Sequence, residues 1–168
     1  GDIFMIRKAN MNDLESIMKI IKSTVEEMKT YNNTQWDENY PLEKDFVSDI
    51  KKQDLYIYEV DGEVAGFICL NYEEPEEYLG LNWSSNKKAM VIHRMAVNPN
   101  FRKTGIASKL VDFAEKLAVE NNVSYLKSDT YSINSKMNLL LTKCGFIKIG
   151  EMSFLGKEKS FYCYDKIL

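Results

Sequence analysis

The chain has 168 residues, a length that suits one domain, over 1–168, with a sizeable hydrophobic core. Hydrophobic residues make up 45% of it and charged residues 28%, as in ordinary globular proteins. The net charge of -3 and the pI of about 5.3 argue against a general binder of nucleic acids or of anionic membranes.

The cysteine and histidine content bears on the cellular environment and on metal binding. Cys69, Cys144 and Cys163 lie far apart and form no Cys-x-x-Cys motif. Their odd number, together with the lack of a recognisable secretory signal, predicts a reducing, cytoplasmic environment. A single histidine and the lack of zinc-spaced cysteines predict that there is no metal site. No apolar run is long enough to span a bilayer, so we expect no membrane partner.

Periodicity and turn signals divide the first half of the chain into five elements. Asn12, with Glu15 three residues later, is the predicted cap of the first helix, and Pro41 suits the first turn of the second. Asp61-Gly62 is a hairpin signal between two strands. The predicted elements are a strand over 3–7, helices over 12–28 and 41–50, and strands over 55–60 and 64–71.

The second half begins with an acidic, irregular connection and continues with an apolar strand over 90–97, which suits the centre of a sheet. A helix to about residue 121, a strand over 125–130, a helix over 134–144 and strands over 146–151 and 161–166 follow. Strands outnumber helices and occur in runs. The chain is therefore predicted to be an α/β (α+β) domain with a mixed, mostly antiparallel sheet and helices on both faces.

The loop after the apolar strand has the character of an anion site. It is short, carries Arg102 and Lys103, contains no acidic residue up to Ser108, and opens a helix. The first N–H groups of a helix have no internal acceptor and its dipole is positive there, so we infer a pyrophosphate ligand. Gly105 allows close approach of the backbone. The alternative is a solvated basic turn before an ordinary helix.

Two motifs carry a family resemblance. The loop is Arg102-Lys103-Thr104-Gly105-Ile106-Ala107, which matches (Arg/Gln)-x-x-Gly-x-(Gly/Ala) after a strand that ends in Ala-Val-x-Pro. The second motif is Asn134-x-x-Met137-x-x-Leu140-Leu141-x-x-x-Gly145-Phe146. The chain resembles the GCN5-related N-acetyltransferase (GNAT) family over nearly its whole length. It departs from the family pattern at Met137, where alanine is usual, and at Leu141, where tyrosine is usual.

The resemblance implies an N-acetyltransferase that moves an acetyl group from acetyl-CoA to a primary amine by direct transfer in a ternary complex. It also implies that the central strand and the next one splay apart to admit acetyl-CoA. The residues implied to bind it are Met95, Ala96 and Val97 through backbone N–H groups, Arg102, Lys103, Thr104, Gly105, Ile106, Ala107 and Ser108 in the loop, and Asn134 at the pantetheine arm. Asn134 equally suits the cap of its helix.

His93 is the one histidine and the first catalytic candidate. Strand alternation predicts that Val91, His93, Met95 and Val97 share a face. The position of His93 resembles that of a histidine in the serotonin N-acetyltransferase branch, where a histidine pair helps to remove the amine proton. An ordinary pKa near 6.5 suits a base, with an ionisation near pH 6 to 7 in the rate profile. The alternative is a core histidine that hydrogen-bonds to a neighbour.

Leu141 cannot protonate the leaving thiolate, which the family tyrosine commonly does. Tyr131 and Tyr162 are candidate replacements, with Tyr131 the catalytic choice. Alternatively, the thiolate leaves unaided, because a thiol of pKa near 8.5 is a fair leaving group. A third alternative is a non-catalytic module of the same fold that binds or senses acyl-CoA.

The acceptor end is predicted from aromatic and acidic residues that could hold an amine. The aromatic candidates are Trp36, Tyr40, Trp83, Tyr131 and Tyr162, and the acidic ones are Glu73, Glu74, Glu76, Glu77 and Glu151. Each of them alone is also explained as a packing residue or as part of a solvated loop. We expect a small-molecule or peptide amine as the partner, no nucleic acid, and a monomer or homodimer.

Overall fold

The computed structural model describes residues 4–168, and Ile3 of the predicted first strand lies outside them. The described chain forms seven strands and four α-helices in the order that was predicted. The strands are β1 (Phe4–Lys8), β2 (Leu55–Val60), β3 (Glu63–Asn71), β4 (Met90–Val97), β5 (Tyr125–Tyr131), β6 (Ile147–Met152) and β7 (Phe161–Ile167). The helices are α1 (Leu14–Lys29), α2 (Glu43–Lys51), α3 (Ile106–Glu120) and α4 (Ser135–Lys143).

All seven strands form one sheet in the order β1-β2-β3-β4-β5-β7-β6. The β4–β5 pair is parallel and the other five pairs are antiparallel. Apolar residues of α1 and α2 pack on one face, while α3 and Leu141 of α4 pack on the other. The predicted mixed, mostly antiparallel sheet with helices on both faces is confirmed.

The helix starts differ in detail from the predictions. Asn10, rather than Asn12, caps a short 3₁₀ turn that leads into α1, and Asp13 completes the capping box in place of Glu15. The Arg7 guanidinium lies 2.8 Å from Asp13, which favours this earlier start. Helix α2 begins two residues after Pro41.

Strands β4 and β5 pair along only part of their length. The register joins Met90–Ile92 to Leu126–Ser128, and the strands separate beyond this segment. At the last pair the Ser128 hydroxyl donates to the Ile92 carbonyl oxygen at 3.1 Å. The sheet is therefore open at its centre, in the way that the resemblance implied.

A β-bulge interrupts β4 just where this opening begins. Ile68 of β3 lies opposite Met95, whereas Leu70 lies opposite Ile92. Strand β4 thus holds one residue more than β3 between the two pairs, which is the definition of a bulge.

The bulge reverses the alternation of side chains along β4. Before and after it, the residues that join the α3 core are Met90, Ile92, Met95 and Val97. His93 and Arg94 lie on the opposite face, towards α2. The prediction that Val91, His93, Met95 and Val97 share a face is therefore wrong, because alternation does not continue through an inserted residue.

Within residues 4–168, no helix combines the length and the apolar character needed to cross a bilayer. The same residues contain no group of three or more histidine, cysteine, aspartate or glutamate side chains placed to hold a metal ion.

Candidate active site

A cleft of about 270 Å³, here called the cofactor cleft, opens beside the separated end of β4. The end of α1, the start of α3 and one side of α4 form its other walls. The predicted cofactor residues that line it are Met95, Ala96, Val97, Arg102, Ala107 and Asn134. The cleft also contains residues that the motifs did not indicate, among them Glu27, Tyr31 and Lys136.

The remaining residues of the loop surround the start of α3. Lys103, Thr104 and Gly105 are exposed, Ser108 is partly exposed, and Ile106 is buried in the α3 core. The Thr104 hydroxyl donates to the Phe101 carbonyl oxygen and closes the turn.

The N-terminus of α3 is open to an anion. In the described chain no side chain caps α3, and its first turn contains no acidic residue, whereas Asn134 caps α4. Gly105 precedes the helix with φ +79°, and a Cβ there would meet no atom of residues 4–168 within 4 Å. The N–H groups of the first turn have no acceptor within the helix, and the space beside Gly105 is open.

Arg102 adds positive charge beside this helix start. Its guanidinium lies 3.1 Å from Glu27, and the same Glu27 oxygen lies 3.3 Å from the ammonium of Lys136. The Nε atom of Arg102 is buried and has no hydrogen-bond partner among the described residues. An Arg102 donor without an acceptor, on a guanidinium that shares one carboxylate with a second cation, fits a site for an anion.

Asn134 performs the capping role that the sequence left open. Its Oδ1 accepts from the Met137 N–H at 3.1 Å, and its Nδ2 donates to Gln35 Oε1 at 2.7 Å. The same Gln35 oxygen accepts from the Thr130 hydroxyl at 2.9 Å and lies 3.3 Å from the Tyr131 nitrogen. Gln35 therefore ties the loop between α1 and α2 to the end of β5.

A smaller cavity of about 90 Å³, here called the acceptor pocket, lies where β4 and β5 begin to separate. Gln35 lines it, so the Gln35–Asn134 hydrogen bond stands between this pocket and the cofactor cleft. The other residues important to its chemistry are Trp36, Tyr40, His93, Arg94, Asp129 and Phe161. The structure thus brings together three of the predicted residues, Trp36, Tyr40 and His93.

His93 is held as a neutral imidazole. Burial and the neighbouring charge of Arg94 lower the pKa of His93 to about 4. Its Nε2 lies 2.6 Å from Asn71 Oδ1. The predicted ionisation of His93 near pH 6 to 7 is therefore corrected to a much lower pH. The charged form loses its hydration and is repelled by Arg94, and the hydrogen bond to the Glu73 backbone offsets only part of this cost.

Asp129 is the acidic residue of this pocket, and it was not among the residues predicted from the sequence. The Tyr78 hydroxyl donates to Asp129 Oδ2 at 2.6 Å. Burial raises the pKa of Asp129 to about 6, against the lowering effect of this hydrogen bond. The sequence shows only an acid within the predicted strand over 125–130, and the structure adds that the other residues of this strand are buried.

A wider acidic cavity of about 300 Å³ adjoins the pocket and shares Pro75, His93 and Arg94 with it. Five carboxylates line this cavity against two cations, Lys52 and Arg94. The five are Asp45, Asp49, Asp54, Glu73 and Glu74, so two of the predicted acidic residues lie here.

The other predicted acceptor residues lie outside both cavities. The Trp83 ring packs on Tyr78, 4.7 Å between centroids, and its Nε1 donates to the Tyr78 carbonyl oxygen. The Tyr162 ring lies under the ammonium of Lys148 at 3.5 Å. Glu151 is exposed and accepts from the Ser160 hydroxyl at 2.7 Å.

The tyrosine candidates for protonating the thiolate also lie away from the cofactor cleft. The Tyr131 hydroxyl accepts from the Lys159 N–H at 3.1 Å beneath the β6–β7 loop. Leu141 is 1% exposed and packs in the α3 core. The hydroxyl-bearing side chains of the cofactor cleft are Thr24 and Tyr31, which sit on α1 and just beyond it.

Comparison with known proteins identifies the family to which the chain belongs. A sequence model described as the acetyltransferase (GNAT) family matches residues 19–146. The chain belongs to the GNAT family. The resemblance drawn from the two motifs is thereby confirmed.

Individual GNAT proteins resemble the chain over most of its length. An uncharacterized N-acetyltransferase of Archaeoglobus fulgidus is 29% identical over 120 residues, which are 70% of this chain and 75% of the relative. A GNAT-family acetyltransferase of Streptococcus agalactiae superposes with a TM-score of 0.85 at 24% identity, covering 98% and 95% of the two chains. The structure of yncA of Salmonella typhimurium, a putative acetyltransferase with its cofactor acetyl-CoA, gives a TM-score of 0.70 at 14% identity, covering 98% and 94%.

Proposed function

We propose that this GNAT protein transfers an acetyl group from acetyl-CoA to a primary amine, directly and within a ternary complex. The observation that carries the proposal is the separation of β4 from β5 beside a cleft that ends at the uncapped N-terminus of α3. The acetyl-CoA bound to the Salmonella protein of the same fold supports the choice of acyl donor.

The pyrophosphate of acetyl-CoA would bind at the start of α3. The N–H groups of residues 106–108 are the primary donors, since the first turn of a helix has no internal acceptors for them. Arg102 and Lys103 add charge, and Arg102 Nε gains the acceptor that it lacks in the described chain. Binding of the anion would compete with Glu27 for Arg102 and Lys136.

The exposed edge of β4 would hold the thioester. Strand β3 occupies one edge of Met95–Val97, while pairing with β5 has ended at Ile92. Alternate N–H groups of this segment therefore face the gap, where one can donate to the carbonyl oxygen as negative charge develops on it. Asn134 lines the cleft wall and would contact the pantetheine arm once its amide leaves Gln35.

The acceptor would enter from the acidic cavity. The five carboxylates there favour a cationic molecule, either a small amine or a basic peptide, and Trp36 and Tyr40 offer aromatic walls for it. His93 contributes as a neutral polar wall. Three free cysteines, two of them buried, suit a cytoplasmic location for the enzyme.

The thiolate would depart without a dedicated acid, since leucine replaces the family tyrosine and Tyr131 lies elsewhere. A thiolate whose conjugate acid has a pKa near 8.5 is stable enough to leave. The leucine at position 141, which cannot protonate a thiolate, also favours the second candidate, a module that binds acyl-CoA without transferring the acyl group.

Calorimetric titration with acetyl-CoA tests the anion site, using Gly105→Glu and a matched control, Gly62→Glu. Both glycines have a φ near +80° and open space where a Cβ would project, so both variants carry the same backbone strain. Gly105→Glu alone places a negative charge at the start of α3. We expect micromolar binding by the wild type and by Gly62→Glu, and binding at least about tenfold weaker by Gly105→Glu. Equal binding by all three proteins would contradict the site.

A thiol-release assay with a panel of amines separates the two candidate functions. Release of free CoA that depends on the amine supports the transferase, whereas tight binding with no release from any amine supports the binding module. Cys144 is partly exposed, so each reaction needs a control that lacks the acceptor.

A further inference from the structure

We propose that Asp129 is the general base that takes the proton from the acceptor amine. The proposal rests on the transferase function proposed above. Asp129 stands one residue beyond Ser128, the last residue of β5 that pairs with β4, so its backbone lies at the point where the gap opens. Its side chain lines the acceptor pocket together with Trp36 and His93.

The carboxylate is anchored by one oxygen and open at the other. Tyr78, which is 1% exposed, donates its hydroxyl to Asp129 Oδ2 at 2.6 Å. Within residues 4–168, Oδ1 accepts no hydrogen bond and no cation lies within 4 Å of the carboxylate. A fixed carboxylate that lines a cavity and keeps one oxygen without a partner has the geometry that a general base requires.

The buried aspartates elsewhere in the fold differ from Asp129 in this respect. Both oxygens of Asp13 bind the Arg7 guanidinium, and both oxygens of Asp49 bind that of Arg94. Asp165 accepts from the Ser84 hydroxyl on one oxygen, and from the Ser84 N–H and the Tyr125 hydroxyl on the other. Those three carboxylates are fully occupied in holding the fold, whereas Asp129 keeps an unused oxygen.

The environment keeps Asp129 basic at neutral pH without tying it to a cation. Burial raises its pKa to about 6, the nearby charge of Glu77 adds to this, and the Tyr78 hydrogen bond opposes it. The titratable and charged groups that face it from the surrounding elements are Tyr78 and Glu77 of the β3–β4 connection, His93 and Arg94 of β4, Cys163 of β7 and Tyr40 before α2. Arg94 is already paired with Asp49, and His93 stays neutral because its own pKa is about 4.

Proton transfer to Asp129 precedes the transfer of the acetyl group. The ammonium of the acceptor first pairs with the Asp129 carboxylate and loses one proton to it, leaving a neutral amine. The nitrogen lone pair then forms the C–N bond at the thioester carbonyl carbon, and the C–S bond breaks with its electron pair going to sulfur. The second N–H proton passes to the departing thiolate, directly or through solvent, and Asp129 releases its proton to solvent, so that the products are the amide, CoA as the thiol and one proton.

The test is the pH dependence of kcat/KM for the amine, with acetyl-CoA saturating, in the wild type, Asp129→Asn and Tyr78→Phe. The wild type should lose activity below an apparent pKa of about 6. Asp129→Asn, which has nearly the same shape, should lower kcat by about 10²- to 10⁴-fold and abolish this acid limb, with unchanged binding of acetyl-CoA by calorimetry. Tyr78→Phe removes a hydrogen bond to the charged form, so it should move the limb upward by about one unit or more.

Each result bears on the proposal. An Asp129→Asn variant that keeps wild-type kcat, or that keeps the acid limb, would overturn it. An acid limb that keeps the wild-type pKa in Tyr78→Phe would also count against the proposal. If Asp129 were only structural, removal of the Tyr78 hydroxyl would not change the pH profile of kcat/KM. If the wild type binds acetyl-CoA but acetylates no amine, the transferase function itself fails. If the wild type and Asp129→Asn are both active with equal rates, only the role of Asp129 fails.

Discussion

Replacement of Asp49 by asparagine should strongly destabilise the protein, because it strands a buried guanidinium. Arg94 donates to the two Asp49 oxygens at 2.6 and 2.9 Å and to the Tyr40 hydroxyl at 2.9 Å. The two charged side chains are 18% and 7% exposed. Breaking such a buried pair from one side costs about 3–5 kcal/mol, which for a chain of this size lowers Tm by about 6–20 °C.

Urea denaturation followed by circular dichroism measures this loss. The matched control is Glu15→Gln, which breaks the exposed pair with Lys19 and should change the free energy of unfolding by about 0.5 kcal/mol or less. The double variant Asp49→Leu/Arg94→Met removes both charges, so it should be less destabilised than the sum of the two single variants. A loss below about 1 kcal/mol for Asp49→Asn would refute the reasoning.

Three further variants test other parts of the structure. Glu27→Gln frees Arg102 and Lys136 from their shared carboxylate, so calorimetry should show about two- to fivefold tighter binding of acetyl-CoA, with a smaller gain at high salt. Tyr131→Phe should leave kcat within about twofold of the wild type, because the hydroxyl lies outside the cofactor cleft; a larger fall would restore Tyr131 as an acid. Burial opposes ionisation of Asp13, but its bonds to Arg7 and Asn10 prevail and lower its pKa, so it stabilises the fold above the unfolded-state pKa of about 3.9. This stabilisation is lost as the pH falls through the folded-state pKa, so the urea midpoint of the wild type should fall more between pH 6 and pH 3 than that of Asp13→Asn.

The order of the elements could be predicted because it depends on local signals. The Asp61-Gly62 turn, Gly145 after α4 and the apolar periodicity of α3 each act over a few residues, and the structure contains the corresponding elements. The start of α1 shows the limit of this approach. Asn10 and Asn12 are equally good caps by type, and the choice between them depends on Arg7, which binds Asp13 from the neighbouring strand.

The acceptor side could be predicted only in part, because lining a pocket and packing a core require the same residue types. Trp36 and Trp83 are both largely buried aromatic residues, but only Trp36 contacts the acceptor pocket. Asp129 was missed because an acid within a strand normally marks a solvent-facing position. Its neighbour Tyr78 comes from 51 residues earlier in the chain, and no local pattern indicates that contact.

The bulge in β4 accounts for the arrangement of both cavities along one strand. In an uninterrupted strand that keeps Ile92 in the α3 core, Arg94 would follow it into that core, and Met95 would turn outwards. The extra residue keeps Met95 with the apolar residues and lets the adjacent His93 and Arg94 both face the acceptor side. Arg94 would be unpaired in the unbulged register, whereas Asp49 neutralises it in the bulged one. The buried ion pair thus forms in the same register that places the cofactor cleft and the acceptor pocket along one strand.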